Sequence, residues 1–315
     1  EEFIASVSAS LDRKKLRGEL DALHEFQQRP ESQSETACIP HLKIAGLPSD
    51  IEQVETSVSS VPVPGGSVTL LSNIEPTNGI VYVDVLFPVD VISPSLFSRL
   101  PLFAGVLTDL GWGGKNWAEC TSEMACVMGD ISARIIAGSQ VPDEDGCSYA
   151  PGTDVNMRDR YWLCISCKFL ASMADQAMPL LSEIISGMDF SDTRRMEDLV
   201  SEFRMDRKSS FIENGAYYAG TRSRMLNSRT AAVCEIMYGI TQLVQADAYG
   251  TSDVRALLDE FRGIYDSVRA GGALLHFTAD RDSAGGMVSR MREFAAGTGL
   301  RPLGVSPGHT AADYI

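Results

Sequence analysis

The sequence predicts an α+β fold: a largely antiparallel sheet with helices packed over it, preceded by a long helix and an extended connector. Segments with strand and helix patterns follow one another in the order strand, strand, helix, helix, strand, strand, several helices, strand, helix. This order departs from the strict alternation that is typical of parallel α/β sheets. The 315 residues are 44% hydrophobic and 22% charged, which provides enough apolar side chain for a substantial core.

The first part of the chain is predicted to be a helical arm and a connector. Apolar residues recur every three to five positions from Val7 to Phe26, and Pro30 ends the pattern. The following residues are rich in Ser, Glu, Pro and Gly, as is typical of an extended segment. We therefore expect a helical arm over residues 1–30, a connector over 31–66 and an α+β domain over 67–315.

Two strands and two helices should open this domain. Residues 67–72 and 78–90 have strand patterns, and the second stretch is apolar on both faces, as expected of an internal strand. Residues 93–111 and 116–129 have helical spacing. Ser93 and Asn116 are their possible N-caps.

A second pair of strands and a group of helices should follow. The strands are predicted over residues 129–140 and 158–171. Helical spacing then covers four segments: 173–186, 192–213, 217–245 with a break near Asn227, and 252–269. A last strand over residues 272–280 and a last helix over 283–297 complete the domain.

Composition argues against several classes of function. A net charge of −15 disfavours nucleic-acid binding, because phosphate binding requires clustered Lys and Arg. No run of eighteen apolar residues occurs and the first residues lack a signal-peptide pattern, so we expect no contact with a membrane. The odd count of seven cysteines, without an Asn-X-Ser/Thr acceptor site, favours reduced thiols.

The most conspicuous candidate site is the pair Cys164 and Cys167. In a strand, residues three apart point to opposite faces, so these thiols should not share one metal ion or form a disulfide. A redox pair requires a loop that leads into a helix, and a four-cysteine zinc site requires a second pair. We interpret both cysteines as structural, and a thiol-redox or metal-binding protein is the third alternative for function.

Other motifs also fall short of a site. No two of the histidines are four residues apart, so H-E-x-x-H and H-x-x-E-H are both absent, and His24-Glu25 has no metal-binding partner. Gly114-Lys115 lacks the remainder of a phosphate loop, and the acidic residues 142–146 lack the spacing of a calcium loop. We therefore predict no catalytic, cofactor-binding or metal-binding residue in this chain. The four histidines are His24, His41, His276 and His309.

Several motifs together carry a family resemblance. They are "EPTNGIVYVDVLFPVD", "LPLFAGVLTDLGWGGKNWAE" and "ENGAYYAGTRSRM", in this order. They closely resemble the third domain of the presequence-protease branch of the pitrilysin/insulinase zinc peptidases. The segment over residues 12–53 resembles the second arm of the helical hairpin that links the two halves of those enzymes. The resemblance extends from about residue 11 to about residue 295.

The resemblance implies a part of a longer enzyme. Members of the family have four related α+β domains that close as two halves around a chamber in which unstructured peptides are cut. Their zinc ligands and general base belong to the first domain, so zinc would be bound by the parent enzyme and none by this chain. We expect a non-catalytic segment of the chamber wall, with the remaining domains and an unstructured peptide, such as a targeting peptide, as partners.

Two details of this expectation stay open. Arg222 and Arg224 of the third motif could face the chamber and contact acidic peptides, or could be salt-bridged or solvated. A stand-alone non-catalytic scaffold subunit of the same fold is the alternative function, although a start inside a helical pattern and an end before the family's last domain favour a fragment. The resemblance also favours a mitochondrial or other organellar matrix.

Overall fold

The computed structural model of this chain describes residues 12–40, 43–47, 54–137, 160–307 and 314. The chain divides into two compact units, Glu1–Gln53 and Val54–Ile315. The first unit contains helix α1 (Arg13–Gln28), the short helix α2 (Gln33–Thr36) and a 3-10 turn (Ile44–Gly46). The part of the predicted first helix that precedes residue 12 lies outside the described residues.

Helix α1 is amphipathic and has a defined start and end. The side chain of Asp12 accepts hydrogen bonds from the backbone N–H groups of Lys14 and Lys15, and the helix ends before Pro30. Leu16, Leu20 and Leu23 form an apolar stripe that is exposed to solvent. A helix of 16 residues is marginal in water, so this stripe is a surface that would gain from packing.

The second unit contains a six-stranded sheet in the order β1-β2-β6-β3-β5-β4. All neighbouring strands are antiparallel except β2 and β6, which are parallel. The predicted α+β class with a largely antiparallel sheet is therefore confirmed, and β3 is an internal strand as expected. The strands are β1 (Thr56–Val63), β2 (Gly66–Ile74), β3 (Ile80–Pro88), β4 (Asp130–Ala137), β5 (Tyr161–Leu170) and β6 (Leu274–Ala279).

The boundary of the sheet unit differs from our expectation of residue 67. Residues 56–63, assigned to the connector, form the edge strand β1, and the compact unit begins at Val54. Pro64 and Gly65, the latter with φ of +88°, form the two-residue turn to β2. Composition suggested a loop, but the buried Val61 and the pairing with β2 give this Ser-rich segment a place in the sheet.

The helices of the second unit agree with the predicted segments in most places. They are α3 (Leu100–Leu107), α4 (Trp117–Val127), α5 (Ala174–Gly187), α6 (Thr193–Glu213), α7 (Gly215–Arg224), α8 (Arg229–Tyr238), α9 (Ile240–Tyr249), α10 (Val254–Ala270) and α11 (Arg281–Gly297). Asn116 caps α4 in a capping box with Glu119, as predicted. Ser93 makes no capping hydrogen bond, and Pro94–Arg99 form a 3-10 helix ahead of α3.

The segment over residues 217–245 contains two breaks where we expected one. Ser228 caps α8 after the predicted break, and Gly239 separates α8 from α9. A Cβ atom at Gly239 would overlap the carboxylate of Glu235, so only glycine fits this close approach. The second break therefore coincides with a close local contact, between residues four apart, that hydrophobic spacing does not record.

The two faces of the sheet differ sharply. On β3, Val81, Val83 and Val85 are completely buried in the core beneath the helices. Tyr82 and Asp84, which point the other way, remain partly accessible to solvent. The second face of β3 is less uniformly apolar than expected, because Asp84 lies among its side chains, and within the described residues this face is only partly buried.

A buried ion pair joins three parts of the chain. The Nε atom of Arg160 lies 3.0 Å from Oδ1 of Asp90, and both side chains are almost completely buried. Nη1 of Arg160 also donates to the carbonyl of Gly304, and Ser306 donates its hydroxyl to Asp90. The pair therefore attaches residues 304–306 to the region where β3 ends and β5 begins.

Replacing Arg160 by Met is expected to lower the free energy of unfolding by about 3–5 kcal/mol, because Asp90 would be left as a buried charge without this partner. Arg290→Met is the matched control. It removes an arginine paired with the exposed Asp175 and should cost less than about 1 kcal/mol. Urea unfolding of both variants measures the difference, and equal losses would contradict the role given to Arg160.

Candidate functional site

The candidate site is a row of polar side chains on the open face of the sheet, which we call the cross-strand row. Strand pairing sets Asp84 opposite both Ser166 and His276, and Asn73 opposite Thr56. Since side chains alternate along each strand, these residues share one face. Its members come from all six strands: Thr56, Asn73, His276, Asp84, Ser166 and Arg134.

Hydrogen bonds connect the row from one edge of the sheet to the other. His276 Nδ1 lies 2.8 Å from Asp84 Oδ2, and Ser166 donates its hydroxyl to Asp84 Oδ1. Arg134 Nη1 donates to the Ser166 hydroxyl over 2.7 Å. On the other side, His276 Nε2 lies 2.7 Å from Asn73 Oδ1.

The hydrogen bonds of Asn73 orient its amide oxygen towards His276. The amide nitrogen of Asn73 donates to the carbonyl of Glu55 and the hydroxyl of Thr56, so its oxygen must face the histidine. Both ring nitrogens of His276 therefore face acceptors, Asn73 Oδ1 and the Asp84 carboxylate. The Thr278 hydroxyl lies 3.4 Å from Nε2, so the donor and acceptor roles of the ring nitrogens depend on the tautomer.

The electrostatics of the row favour an ionised Asp84. Burial alone would raise the pKa of this carboxyl, but the hydrogen bonds from His276 and Ser166, together with the nearby positive charge, lower the pKa below its usual value. Burial raises the pKa of the neighbouring Cys164 thiol to about 11, so this thiol is neutral. The result is a paired charge network with a protonated cysteine beside it.

This arrangement is suited to binding and positioning and not to nucleophilic catalysis. In a catalytic triad the histidine accepts the proton of the nucleophile, whereas here Ser166 donates to Asp84, a carboxylate with a lowered pKa and thus a weak base. Cys164 is not activated either, since a reactive cysteine requires a lowered pKa. The row therefore offers hydrogen-bonding groups on an accessible face.

The residues of this chain do not fit the zinc site of the family that it resembles. Across the described ranges, no group of three His, Cys, Asp or Glu side chains has an arrangement that could hold a metal ion. Both nitrogens of His276 are engaged in the hydrogen bonds above. No step of a metal-dependent reaction can be assigned to residues in the described part of the chain.

The structure confirms the expected separation of the two cysteines. Cys164 lies on the open face, with its Sγ 3.6 Å from Asp84 Oδ1, whereas Cys167 belongs to the core beneath the helices. Burial raises the pKa of the Cys167 thiol. Both thiols are free and neither faces the other, so a shared metal ion or a disulfide would require the strand to rearrange.

Those of the remaining motifs that the structure describes lie where their structural interpretations place them. His24 and Glu25 are exposed on α1. Gly114 and Lys115 form the turn between α3 and α4, and the ammonium of Lys115 bonds Glu123 and Glu183 at 2.7 and 3.0 Å. These two contacts raise the pKa of Lys115 to about 12. The acidic residues 142–146, His41 and His309 lie outside the described residues.

The two arginines singled out in the sequence have different environments on α7. Arg222 Nη1 lies 3.3 Å from Oε1 of Glu235, a carboxylate with no accessible side-chain surface, which also accepts from the backbone and hydroxyl of Thr241. Arg224 instead lines a cavity between α7 and α8. Across the described residues, no hydrogen bond or ion pair joins either arginine to the cross-strand row.

The sequence contained a signal for the row that our motif search did not use. Asp84 is the one charged residue of β3, and His276 interrupts the apolar residues at the start of β6. Such residues become a site only when two strands place them in register, and sequence separation of 192 positions hides that pairing. Strand order therefore had to be known before the two could be joined.

Comparison with known proteins gives consistent results. A family model described as a region associated with peptidase family M16, subfamily C, matches residues 1–246. The mitochondrial presequence protease of Xenopus laevis is 26% identical over 222 residues, which are 69% of this chain and 19% of that protein. Presequence protease 1 of Arabidopsis thaliana, named as chloroplastic and mitochondrial, is 22% identical over 292 residues, or 90% of this chain and 24% of that protein.

The similarity therefore concerns one part of longer proteins. The chain spans about a fifth of the length of the presequence protease from Xenopus laevis. A solved structure, a conserved protein from Enterococcus faecalis V583, is 12% identical with a TM-score of 0.51, covering 79% of this chain and 54% of that one. This likeness concerns the fold alone.

Among the described residues, no helix has both the length and the apolar character needed to cross a membrane.

Replacing Asp84 by Asn is expected to lower the free energy of unfolding by about 1–3 kcal/mol at neutral pH, because charge-assisted hydrogen bonds become neutral ones. Because the pKa of Asp84 is lowered in the folded state, the stability that its carboxylate contributes is complete above the ordinary Asp pKa of 3.8. This stability is lost as the pH falls through the pKa of Asp84 in the folded protein. Urea unfolding at neutral and acidic pH should show the variant and the parent converging in acid. A difference that does not depend on pH would contradict this account, and Ser132→Ala on the same face is the control.

Replacing Arg222 by Gln is expected to cost about 1–2 kcal/mol of stability, since Glu235 would lose its cationic partner inside the helical layer. The loss should stay below that of a fully buried pair, because the Arg222 side chain is 53% exposed and solvent screens it. Arg224→Gln, two positions away, should change stability by less than about 0.5 kcal/mol. Thermal or urea unfolding compares them, and equal effects would refute this division of roles.

Proposed function

The chain belongs to the family of regions associated with peptidase family M16, subfamily C, and from that membership we propose that it is a non-catalytic region of a longer zinc metalloendopeptidase that degrades unstructured peptides. Its relatives include proteins named presequence proteases, whose name indicates cleavage of targeting peptides. In the parent enzyme, this region would form part of the wall of a closed proteolytic chamber.

The observation that carries the proposal is the difference between the two faces of the sheet. One face is sealed by helices, and the other presents hydrogen-bonding side chains across all six strands. A wall of this kind is rigid, and it offers polar groups to an extended peptide, whose own backbone donors and acceptors are unpaired. The cross-strand row would therefore face the chamber.

A chamber wall contributes to catalysis without a catalytic residue. Enclosure holds a peptide near reactive groups supplied by another domain and excludes bulk water while the reaction proceeds. The network around Asp84 is already internally satisfied, so it keeps its geometry without a ligand. Preorganised polar side chains of this kind bind with a small loss of conformational entropy.

Helix α1 supports the same assignment. Its apolar stripe of Leu16, Leu20 and Leu23 is exposed to solvent. Burying this stripe against another helix would stabilise a helix that is marginal in water by itself. The second arm of a helical hairpin would pack this stripe against the first arm. We propose this role for the helical arm of residues 1–30, with the chamber hinge nearby.

The names of the relatives support a proposal for the compartment. Presequence proteases from frog and plant are named for mitochondria or for chloroplasts and mitochondria. We propose a mitochondrial or other organellar matrix for the parent enzyme. Fractionation of source cells with an antibody raised against this chain would test it, and recovery of the antigen only outside organelles would overturn it.

The chain alone is expected to bind no stoichiometric zinc and to cleave no unstructured peptide, because zinc ligands would come from another domain. Metal analysis after dialysis and mass spectrometry of an incubated peptide measure both quantities. Adding the regions of the parent enzyme that precede and follow this chain should restore zinc-dependent cleavage. The restored activity should need this chain, so an assembly without it is the control.

Zinc-dependent cleavage by the isolated chain would contradict the proposal. A native open reading frame no longer than this chain would instead favour the stand-alone scaffold subunit. That alternative also predicts a stable complex with a separately encoded peptidase, which co-purification from the source cells would detect.

A further inference from the structure

The cavity between α7 and α8 combines one arginine with several side chains that can form hydrogen bonds. It measures about 410 Å³ and is lined mainly by residues that can donate hydrogen bonds. Those residues include Tyr217, Thr221, Arg224, Asn227, Ser228 and Thr230. We call this space the α7–α8 cavity.

The charge of its lining favours an anionic ligand over a cationic one. Arg224 is its one charged lining residue, and no carboxylate is among them, although the whole chain has a net charge of −15. The arginine-lined cavity between α5 and α11 differs, because Arg290 there is paired with Asp175 and Glu293 is also present. Opposite charges within a lining compete with any ionic ligand, and the α7–α8 cavity has no such competition.

Arg224 has bonding capacity left for a ligand. Its Nε donates to the carbonyl of Gly220 over 3.1 Å, which orients the side chain, and no described contact uses its two terminal nitrogens. Arg222 differs, since its guanidinium compensates the buried Glu235. The two arginines are therefore not equivalent, and the geometry selects Arg224 as the one able to contact a ligand.

Neighbouring side chains complete the set of donors. The Ser228 oxygen accepts from the backbone of Ala231, which leaves its hydroxyl proton able to point into the cavity. Asn227 and Thr230 contribute an amide and a hydroxyl. The Thr221 hydroxyl is already bonded to the carbonyl of Tyr217, so it acts as wall and not as donor.

We propose that the α7–α8 cavity binds a peptide carboxylate, with the terminal nitrogens of Arg224 as its main contact. A guanidinium matches a carboxylate with two parallel hydrogen bonds, and hydroxyl and amide donors fill the remaining acceptor positions. This inference rests on the proposed function, because peptides are the ligands of the parent enzyme. It adds a second contact, separate from the cross-strand row, through which an acidic or C-terminal group would be held.

The first experiment reads the anion site without any peptide. Acetate is titrated into the 315-residue chain while two-dimensional NMR follows the Nε–H resonance of Arg224. A saturable shift is expected in the parent and in Arg281→Gln, which removes an equal charge from an exposed arginine elsewhere. In Arg224→Gln, the resonances of amides near the cavity should no longer shift saturably as acetate is added. Unchanged shifts in this variant would overturn the inference.

The second experiment measures peptides that differ only in charge. One pair of unstructured peptides has a free or an amidated C-terminus, and another has an internal Glu or Gln. The peptide with the carboxylate should bind the parent about tenfold more tightly, and Arg224→Gln should abolish the preference. The two pairs show whether the terminal or the side-chain carboxylate is preferred, and circular dichroism checks that each variant is folded.

The outcomes separate this inference from the proposed function. Peptide binding that ignores the carboxylate would overturn the inference and leave the chamber-wall role standing. Saturable acetate binding at Arg224 without binding of any of the peptides would support the anion site, overturn its assignment to peptides and count against the proposed function.

Discussion

The pairing of β3 with both β5 and β6 is the constraint on which the rest of the sheet unit depends. This register sets Asp84 opposite Ser166 on one side and His276 on the other. The same register aligns Val83 and Val85 with the buried residues of β5 and β6. A shift by one residue would exchange the two faces, placing charge in the core and valines in solvent.

Charged groups inside the molecule follow a common rule. Asp90 is paired with Arg160, Glu235 with Arg222, and Asp84 with His276. Each pair joins segments distant in sequence or successive helices, so each contributes to the specificity of the arrangement as well as to its stability. Of these three pairs, the last lies on the open face, which is the face that we propose for contact with a ligand.

The proposed role separates binding from chemistry. The described residues form a sheet with one accessible polar face, and a cavity lined by Arg224, whose terminal nitrogens make no described contact. On the polar face the Cys164 thiol is not activated, because burial raises its pKa. A region of this kind would contribute shape and selectivity to an enzyme whose reactive metal is held elsewhere. Family membership is the basis for placing this region in a longer enzyme, and the arrangement of side chains is the basis for proposing which face contacts a ligand.

The sequence by itself determined the α+β class, most helices and strands, the separation of Cys164 from Cys167 and the family. These features depend on local periodicity or on motifs, which neighbouring residues carry. Tertiary structure alone decided that residues 56–63 join the sheet and that Arg222 and Arg224 differ. It also decided that Asp84 meets His276, because a contact across 192 positions depends on strand order and register, which no local pattern encodes.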